Sequence, residues 1–472
     1  MNEKNKRFDI AVIGSGPGGY PAAIKAAQNG KTVALIEARE TGGTCLNRGC
    51  IPSKTLIANA EVLHKIQEAE DFGITVGSIS FDYSKMVDRK DGVVSQIRKS
   101  LEGLIASNKI TMFKGYGKLT SPKTIKITGT DNIEITADQI IIATGSEPRN
   151  IAAFPCDGKK IHDSTTLLEM RKLPKKIAII GGGVIGCEFA SLFAILGVEV
   201  TILEMLPRII PMEGESVSAA LTKAFKNKGI AIETGVAVES IDTSGKGVKV
   251  QLAGGKCITA DIALVSVGRK LNTSDIGLEK AGVLVLDNGM VAVNDRMETS
   301  TPGIYAIGDI ASKWWLAHVA THQGIIAASN ATGHPMRMDY NSVPSVIYTS
   351  PEIATVGMSL EQALEKGYKA TVGSFPFQAL GKSQAALQTD GFAQIVLDKA
   401  TGQVLGAQVV GHEASTMIAE MTIVITNELT LECITETIHA HPTISEAWME
   451  AAFLGEEAPL HWPPKPGKKA AN

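Results

Sequence analysis

Three things are scarce in this sequence. Cysteine is one: six in 472 residues are too few for a structural disulfide framework, so any close pair invites a redox or metal reading first. Charge of one sign is another. With 46 basic and 49 acidic residues the formal net charge is -3, which sets up no field strong enough to attract nucleic acid or an anionic membrane. The expected partners are small molecules and other proteins. Long hydrophobic runs are the third. The N-terminus, MNEKNKRFDIAVIGSG, offers only a brief apolar run before its glycines, short of a signal-peptide core or a membrane span, and the expected location is the cytoplasm. Length and apolar content are ample. Apolar residues make up 44% of the chain, enough for about three domains of roughly 150 residues, each with its own core.

From Phe8 the chain reads FDIAVIGSGPGGYPAAIKAAQNGKTVALIE: a buried strand, a glycine turn, an amphipathic helix ended by Gly30, and a second strand ending at Glu37. In this βαβ pattern Gly14 and Gly16 let the backbone turn beside a pyrophosphate and Gly19 lets helix and strand pack closely. The helix N-terminus offers unpaired N–H groups to the phosphates, and Glu37 would accept from a ribose. The same grammar returns from Lys176 as KIAIIGGGVIGCEFASLFAILGVEVTILE, with Gly181, Gly183 and Gly186 as the glycines and Glu204 as the acid. Each acid stands 23 residues after its first glycine. One such fingerprint is weak, because glycine turns also serve packing alone; two at matched spacing point to two bound dinucleotides. Glu204 puts negative charge where the 2′-phosphate of NADP would lie, so the second site is expected to take NAD. Arg208 is the nearby cation that opposes this, and it reads as a solvated loop charge.

Between the first unit and the next segment lies GGTCLNRGCIPSK, residues 42–54, which sets Cys45 and Cys50 five apart at the start of an apparent helix. Zinc would need further close ligands; His64 is isolated and no metal is expected. On an ideal helix, residues five apart are about 8 to 9 Å apart at Cα, beyond disulfide reach. The backbone must therefore be irregular if the two bond, and Gly49 and Pro52 supply the means. Two buried free thiols remain the alternative on these residues alone.

The segment resembles the redox-active stretch of the pyridine nucleotide-disulfide oxidoreductases, and the resemblance extends from about Phe8 to Ala452. It implies that Cys45 exchanges with substrate, that Cys50 lies beside the flavin of FAD, and that Lys54 and its acidic partner Glu188 flank the flavin. IIATGSEP at 141–148 resembles the family's crossover from FAD to NAD domain, with Thr144 and Gly145 at the FAD. VSVGRKLNT at 265–273 resembles the return, with Gly268 at the NAD. TPGIYAIGDI at 301–310 resembles the second FAD fingerprint, with Asp309 at the ribityl or pyrophosphate region; a helix N-cap is that residue's ordinary role. HAHPTISEAW at 439–448 resembles a segment that reaches across a two-fold interface. There His441 is the implied base for a substrate dithiol and Glu446 orients its ring.

The implied fold class is α/β: two Rossmann-like nucleotide-binding domains plus an α+β C-terminal dimerisation domain. The expected bounds are 1–150 (FAD), 151–273 (NAD), 274–343 (return to the FAD side) and 344–472 (interface). Gly411 to Glu428 reads as an interface helix with apolar positions at Met417, Ile418, Met421 and Ile425. Val184 stands where glutathione-reducing members carry a tyrosine, the last cysteine is Cys433, and the tail HWPPKPGKKAAN has none. These features imply the lipoamide-oxidising, NAD-dependent branch acting as a homodimer. No lipoyl-type segment precedes Phe8, so the lipoyl carrier is expected on another protein. A reductase of another small disulfide and a non-catalytic nucleotide-binding regulator are the competing readings. Two departures stand out: GKSQAALQ from Gly381, and Arg48, where many members carry an aliphatic residue and where a cation should favour thiolates. Cys156, Cys187, Cys257 and Cys433 read as small buried hydrophobes, and the Lys-rich tail as flexible and dispensable.

Overall fold

A computed structural model describes residues 6–463. The Lys-rich part of the tail, from 464 onward, lies outside the described residues. Contacts group the chain into two units: Met1–Ala152, His162–Leu173 and Val267–Asp339 form the first, and Ala153–Ile161, Pro174–Ser266 and Tyr340–Asn472 the second.

In the first unit, strand Lys6–Ile13 lies between Val33–Glu37 and Ile133–Ile142, parallel to both, and Thr111–Lys114 extends the parallel set. The hairpin Tyr116–Ser121/Thr124–Thr128 continues the sheet antiparallel, and Ile304–Ala306 returns from far down the chain to pair with Ile140–Ile142. Runs such as Ile10–Ile13 and Ile140–Ile142 are buried throughout, as central strands covered on both faces must be. The helix Gly19–Gln28 turns Ala22, Ala23 and Ala26 inward; small side chains keep it close to the strands.

The second unit repeats the motif. Lys176–Ile180 is central, with Glu199–Glu204 and then Ala231–Thr234 on one side and Ile262–Val265 on the other, all parallel. Its C-terminal part is a five-stranded antiparallel sheet in the order Ser345–Ile347, Ile353–Gly357, Val404–Val410, Phe392–Asp398, Ala370–Pro376, packed by helices Ala414–Thr426 and Glu446–Gly455. The fully buried Trp448 anchors this α+β layer and donates its indole N–H to the Met417 carbonyl at 3.3 Å.

The four apolar positions read as an interface stripe pack within the chain. Met417, Ile418, Met421 and Ile425 are all buried against their own sheet, where each contributes roughly 1.5 to 3 kcal/mol. The outward face carries Ile423 instead, 63% exposed. Among the described residues, no helix is long and apolar enough to cross a membrane.

Candidate active site

The two glycine units form two cradles with the same internal wiring. Gly14 and Gly181 have φ of 102° and 105°, a region open to glycine. A Cβ on Gly14 would lie 2.3 Å from the Ala143 carbonyl oxygen, and one on Gly181 2.5 Å from that of Ser266. A Cβ on Gly19 or Gly186 would run into the carbonyl of its own first glycine at 1.8 or 2.0 Å. Gly16 and Gly183 differ: the chain comes no nearer than 3.9 Å to a Cβ on Gly16, and nothing lies within 4 Å at Gly183. Protein packing therefore does not demand glycine at these two places, whereas the close approach of a pyrophosphate at a helix N-terminus does. This cradle fits a dinucleotide in each unit.

Each acid closes its cradle through the backbone. Glu37 Oε2 accepts the Ser15 N–H at 2.9 Å and its hydroxyl at 2.7 Å, while Oε1 accepts the Arg39 N–H at 2.8 Å. Glu204 Oε2 accepts the Gly182 N–H at 2.6 Å and Oε1 the Leu206 N–H at 2.8 Å. The carboxylate thus holds the glycine loop as well as the place a ribose would occupy. Arg208 is not the solvated charge the sequence suggests. It is half-buried, and its guanidinium donates to the carbonyls of Pro211 and Glu213 at 3.3 and 3.1 Å, tied into its loop rather than held out for a 2′-phosphate. Glu204→Ala is expected to lower the NAD-over-NADP preference on the order of tenfold or more, the scale of hydrogen bonds to a charged group. Steady-state kcat/KM with each dinucleotide measures it, and an unchanged ratio would move discrimination elsewhere.

Cys45 and Cys50 are joined in a disulfide with Cα atoms 4.7 Å apart. The helix that spacing alone would forbid is broken: Gly43–Arg48 ends and Cys50–Gln67 begins at Gly49, with φ −144° and ψ −107°. A Cβ on Gly49 would lie 3.1 Å from the Thr44 carbonyl oxygen and 3.4 Å from the Cys45 Cα. Gly49→Ala should therefore wedge the two helix ends apart and shift the thiol–disulfide equilibrium toward dithiol by about tenfold, at the low end of overpacking energies. Glutathione-buffered titration with thiol counting reads this directly, and a wild-type midpoint would show the contact to be harmless. Gly43, at φ 64°, lies against Gly16, where a Cβ would be 2.6 Å from the Gly16 Cα. The Gly42 N–H donates to the Ser15 carbonyl and hydroxyl at 3.1 and 3.2 Å. Ser15 thus joins the glycine loop, Glu37 and the disulfide segment, and no motif singles it out.

Lys54 lies one helical turn beyond Cys50 on the same helix, and so on the same face. Arg48 is ion-paired with Glu40. Burial pushes the Glu40 carboxyl upward, but the hydrogen bond and charge of Arg48 outweigh it and hold it below its ordinary value. The cation expected to favour thiolates is therefore largely answered by its own counter-ion. Arg48 also lines a polar cleft of about 170 Å³ with Arg39, Thr44, Glu147, Asp163 and Thr165.

Asp309 is not a helix N-cap; Ile307 holds that position in the short turn Gly308–Ile310. Its carboxylate accepts the Ser146 hydroxyl. Arg269 donates Nε to that hydroxyl at 2.6 Å and an Nη to the Ser146 carbonyl at 2.7 Å. Burial lowers the Arg269 pKa from its usual value, against the nearby charge of Asp309. The Thr144 hydroxyl donates to the Asn272 carbonyl at 2.7 Å, and the Asn272 N–H to the Gly145 carbonyl at 2.9 Å. Gly268 falls in the first unit, at φ 106°, with its carbonyl accepting the Arg149 N–H. Arg269 was missed by sequence reasoning, although an arginine amid VSVG and the following strand was its signal.

Glu188, Glu204, His441 and Glu446 lie in the second unit with Gly181, Gly183 and Gly186. Glu188 is 7% exposed and accepts the Tyr348 N–H at 3.0 Å. His441 Nδ1 is 2.8 Å from Glu446 Oε1, and Glu446 Oε2 accepts the Thr443 N–H at 2.8 Å. Burial works upward on the Glu446 carboxyl; the Thr443 N–H and His441 prevail and hold it low. A carboxylate on Nδ1–H leaves Nε2 as the accepting nitrogen, and the ring, 76% exposed, presents it at the surface. His439 is paired elsewhere, its Nε2 3.0 Å from Glu420 Oε1. Of the four other cysteines only Cys187 is buried; Cys156 and Cys257 are partly exposed, and Cys433 is exposed on the outer side of helix Leu431–Thr435.

Residues 8–324 match the family described as pyridine nucleotide-disulphide oxidoreductase, and residues 343–452 match its dimerisation domain. A dihydrolipoyl dehydrogenase of Chlamydia pneumoniae is 52% identical over 98% of this chain and 99% of its own length. One from Thermus scotoductus is 41% identical over 97% and 99%. Among solved structures, LpdA of Mycobacterium tuberculosis superposes with a TM-score of 0.89 at 27% identity, over 95% of this chain and 99% of that one. The HOCl-induced flavoprotein disulfide reductase RclA of Escherichia coli gives 0.85 at 28%, over 94% and 99%.

Proposed function

The chain belongs to the pyridine nucleotide-disulphide oxidoreductases, and from that premise we propose that it is a dihydrolipoyl dehydrogenase, oxidising protein-bound dihydrolipoamide through Cys45–Cys50 and FAD and reducing NAD. The observation that carries the reading is the disulfide itself, formed across a helix break that Gly49 permits. Near-full-length similarity to dihydrolipoyl dehydrogenases supports the choice of substrate.

Gly14, Gly16, Gly19, Glu37, Lys54, Thr144, Gly145 and Asp309 would hold FAD. Gly181, Gly183, Gly186 and Glu204 would hold NAD. A substrate thiol gives its proton to His441 Nε2, and Glu446 stabilises the resulting imidazolium. The thiolate attacks Cys45 Sγ, the Cys45–Cys50 bond breaks, and Cys50 leaves as a thiolate. The second substrate thiol then attacks the first sulfur and passes its proton to the released Cys45 sulfur, closing the substrate disulfide; both electrons now reside on the cysteine pair, Cys45 as thiol and Cys50 as thiolate. Bound FAD would supply two-electron acceptance from that pair, with NAD as the final hydride acceptor. Lys54, one helical turn beyond Cys50, would place positive charge beside the flavin.

The dimerisation domain makes this a homodimer family, and we assign His441 and Glu446 to the disulfide of the second copy, consistent with the ring's exposure on its own chain. The carrier partner is a lipoyl domain of a 2-oxoacid dehydrogenase complex or of glycine cleavage, and the location is the cytoplasm. Anaerobic titration with dihydrolipoamide, followed by NAD, tests the proposal: reduction of the disulfide and appearance of NADH are expected. A protein silent to dihydrolipoamide whose disulfide NADH nevertheless reduces would act on another disulfide.

A further inference from the structure

The loop after Glu204 is tied at one end to the glycine turn of the second cradle and at the other to the C-terminal sheet. At the glycines, the Ile210 N–H donates to the Gly182 carbonyl at 2.7 Å. The Cys187 thiol, a weaker donor, lies 3.3 Å from the same oxygen. Ile209 packs so closely that a Cβ on Gly182 would be 2.9 Å from its Cγ2, and its carbonyl accepts the Ser218 hydroxyl at 2.7 Å. Ile210 is buried at φ 41°, a left-handed conformation that a β-branched residue keeps only where its surroundings impose it. The next turn helps to impose it, since the Glu213 N–H donates to the Ile210 carbonyl at 3.0 Å.

At the far end, the Glu213 side chain spans two strands. Ser345 and Thr355 stand opposite each other in the antiparallel pair Ser345–Ile347 and Ile353–Gly357. Glu213 Oε1 accepts the Ser345 hydroxyl at 3.3 Å, and Oε2 accepts the Thr355 hydroxyl at 2.9 Å. Burial pushes this carboxyl above its ordinary value, against both hydroxyls, and among the described residues no cation pairs with it. A half-buried carboxylate without a counter-ion is a poor source of stability. What it supplies is a fixed distance between loop and sheet.

We propose that Glu213 is a positioning residue for NAD: by fastening the loop to the Ser345/Thr355 pair it holds Ile210 in its left-handed conformation, and Ile210 in turn fixes the Gly182–Gly183 peptide of the cradle. The inference rests on the reading of that cradle as the NAD site. The Gly182–Gly183 peptide is trans and planar, so a carbonyl held on Ile210 points the Gly183 N–H the opposite way. Gly183 is the N-cap of helix Val184–Ile195, and a Cβ there would meet nothing within 4 Å. An N–H at that place is one of those a pyrophosphate needs. Freed from the sheet, the loop relaxes the strain at Ile210, the peptide turns, and the donor loses its aim.

The test is calorimetric titration of NAD into the FAD-loaded protein, for wild type, E213A, T355V and T355S, beside reduction of Cys45–Cys50 by dihydrolipoamide, a half-reaction that needs no NAD. E213A should weaken NAD binding on the order of tenfold, the scale of hydrogen bonds to a charged group. T355V, which removes the donor to one carboxylate oxygen, should weaken it about threefold, and T355S should restore it. The double variant E213A/T355V should bind no more weakly than E213A, because both changes act through one contact. The half-reaction should stay close to wild type throughout. An unchanged NAD affinity in E213A overturns the proposal. So does a loss in T355V that T355S does not restore, or a loss matched by an equal one in the half-reaction, since either marks a general disturbance of the fold. A wild type that binds no NAD fails differently: it removes the NAD reading of the cradle before any variant is compared.

Discussion

Cys45→Ser is expected to abolish dithiol oxidation, by at least about a thousandfold as for removal of a reacting nucleophile, while the chain stays folded and keeps its flavin. The reason is chemical. With one sulfur gone there is no bond for the incoming thiolate to break, and a serine oxygen accepts no electron pair from a dithiol. The structural cost should be small by comparison, because a disulfide closing so short a loop constrains the unfolded chain by no more than about 2 kcal/mol. The backbone around it is held independently, by the Gly42–Ser15 hydrogen bonds and the Gly43–Gly16 contact. Anaerobic turnover with dihydrolipoamide, beside the visible spectrum of the purified variant, makes the measurement. Loss of flavin together with activity would show that Cys45 holds the fold instead.

For His441→Gln we expect dihydrolipoamide oxidation to fall by roughly 10² to 10⁴, the range for removing a general base, with NADH-driven reduction of an artificial acceptor close to wild type. The second assay draws electrons from NADH and needs no proton taken from a dithiol, so only the first depends on the imidazole. Glutamine can keep a hydrogen bond to Glu446 but cannot take a proton near neutral pH. The acid limb of the wild-type pH profile should therefore vanish along with the rate. Because Glu446 is held below its ordinary value, it remains ionised across that limb and does not titrate with the base. Equal losses in the two assays would remove His441 from the proton transfer.

The parts of the site that can be read from the sequence are those where covalent or steric rules leave few alternatives. Gly14 and Gly181 adopt φ values that other residues rarely tolerate, and Gly19 and Gly186 have no room for a Cβ. The repeated glycines therefore announce both cradles before any fold is known. The cysteine pair is legible through its resemblance to the family's redox segment; its spacing alone leaves two free thiols open, and Gly49 supplies the break in the helix that brings them together. Arg208, Arg48 and Asp309 are different. Each is an ordinary charged residue whose role depends on what the chain brings against it: the carbonyls of Pro211 and Glu213, the carboxylate of Glu40, and the hydroxyl of Ser146.

By itself, then, the sequence determined the two nucleotide cradles, because a strand, a glycine turn and a helix start are set by local spacing. The redox pair and the His441–Glu446 dyad were legible only through the resemblance to the family, since the residues alone left two free thiols and an ordinary surface histidine open. Only the tertiary structure decided that Ser15 ties loop, acid and disulfide segment together, that Arg269 faces Ser146 from more than a hundred residues away, and that Met417, Ile418, Met421 and Ile425 are consumed by the chain's own sheet. It also decided that Glu213 spans the strands of Ser345 and Thr355. An apolar stripe or a lone polar side chain states how much surface or charge must be satisfied, and three-dimensional packing alone selects the partner that satisfies it.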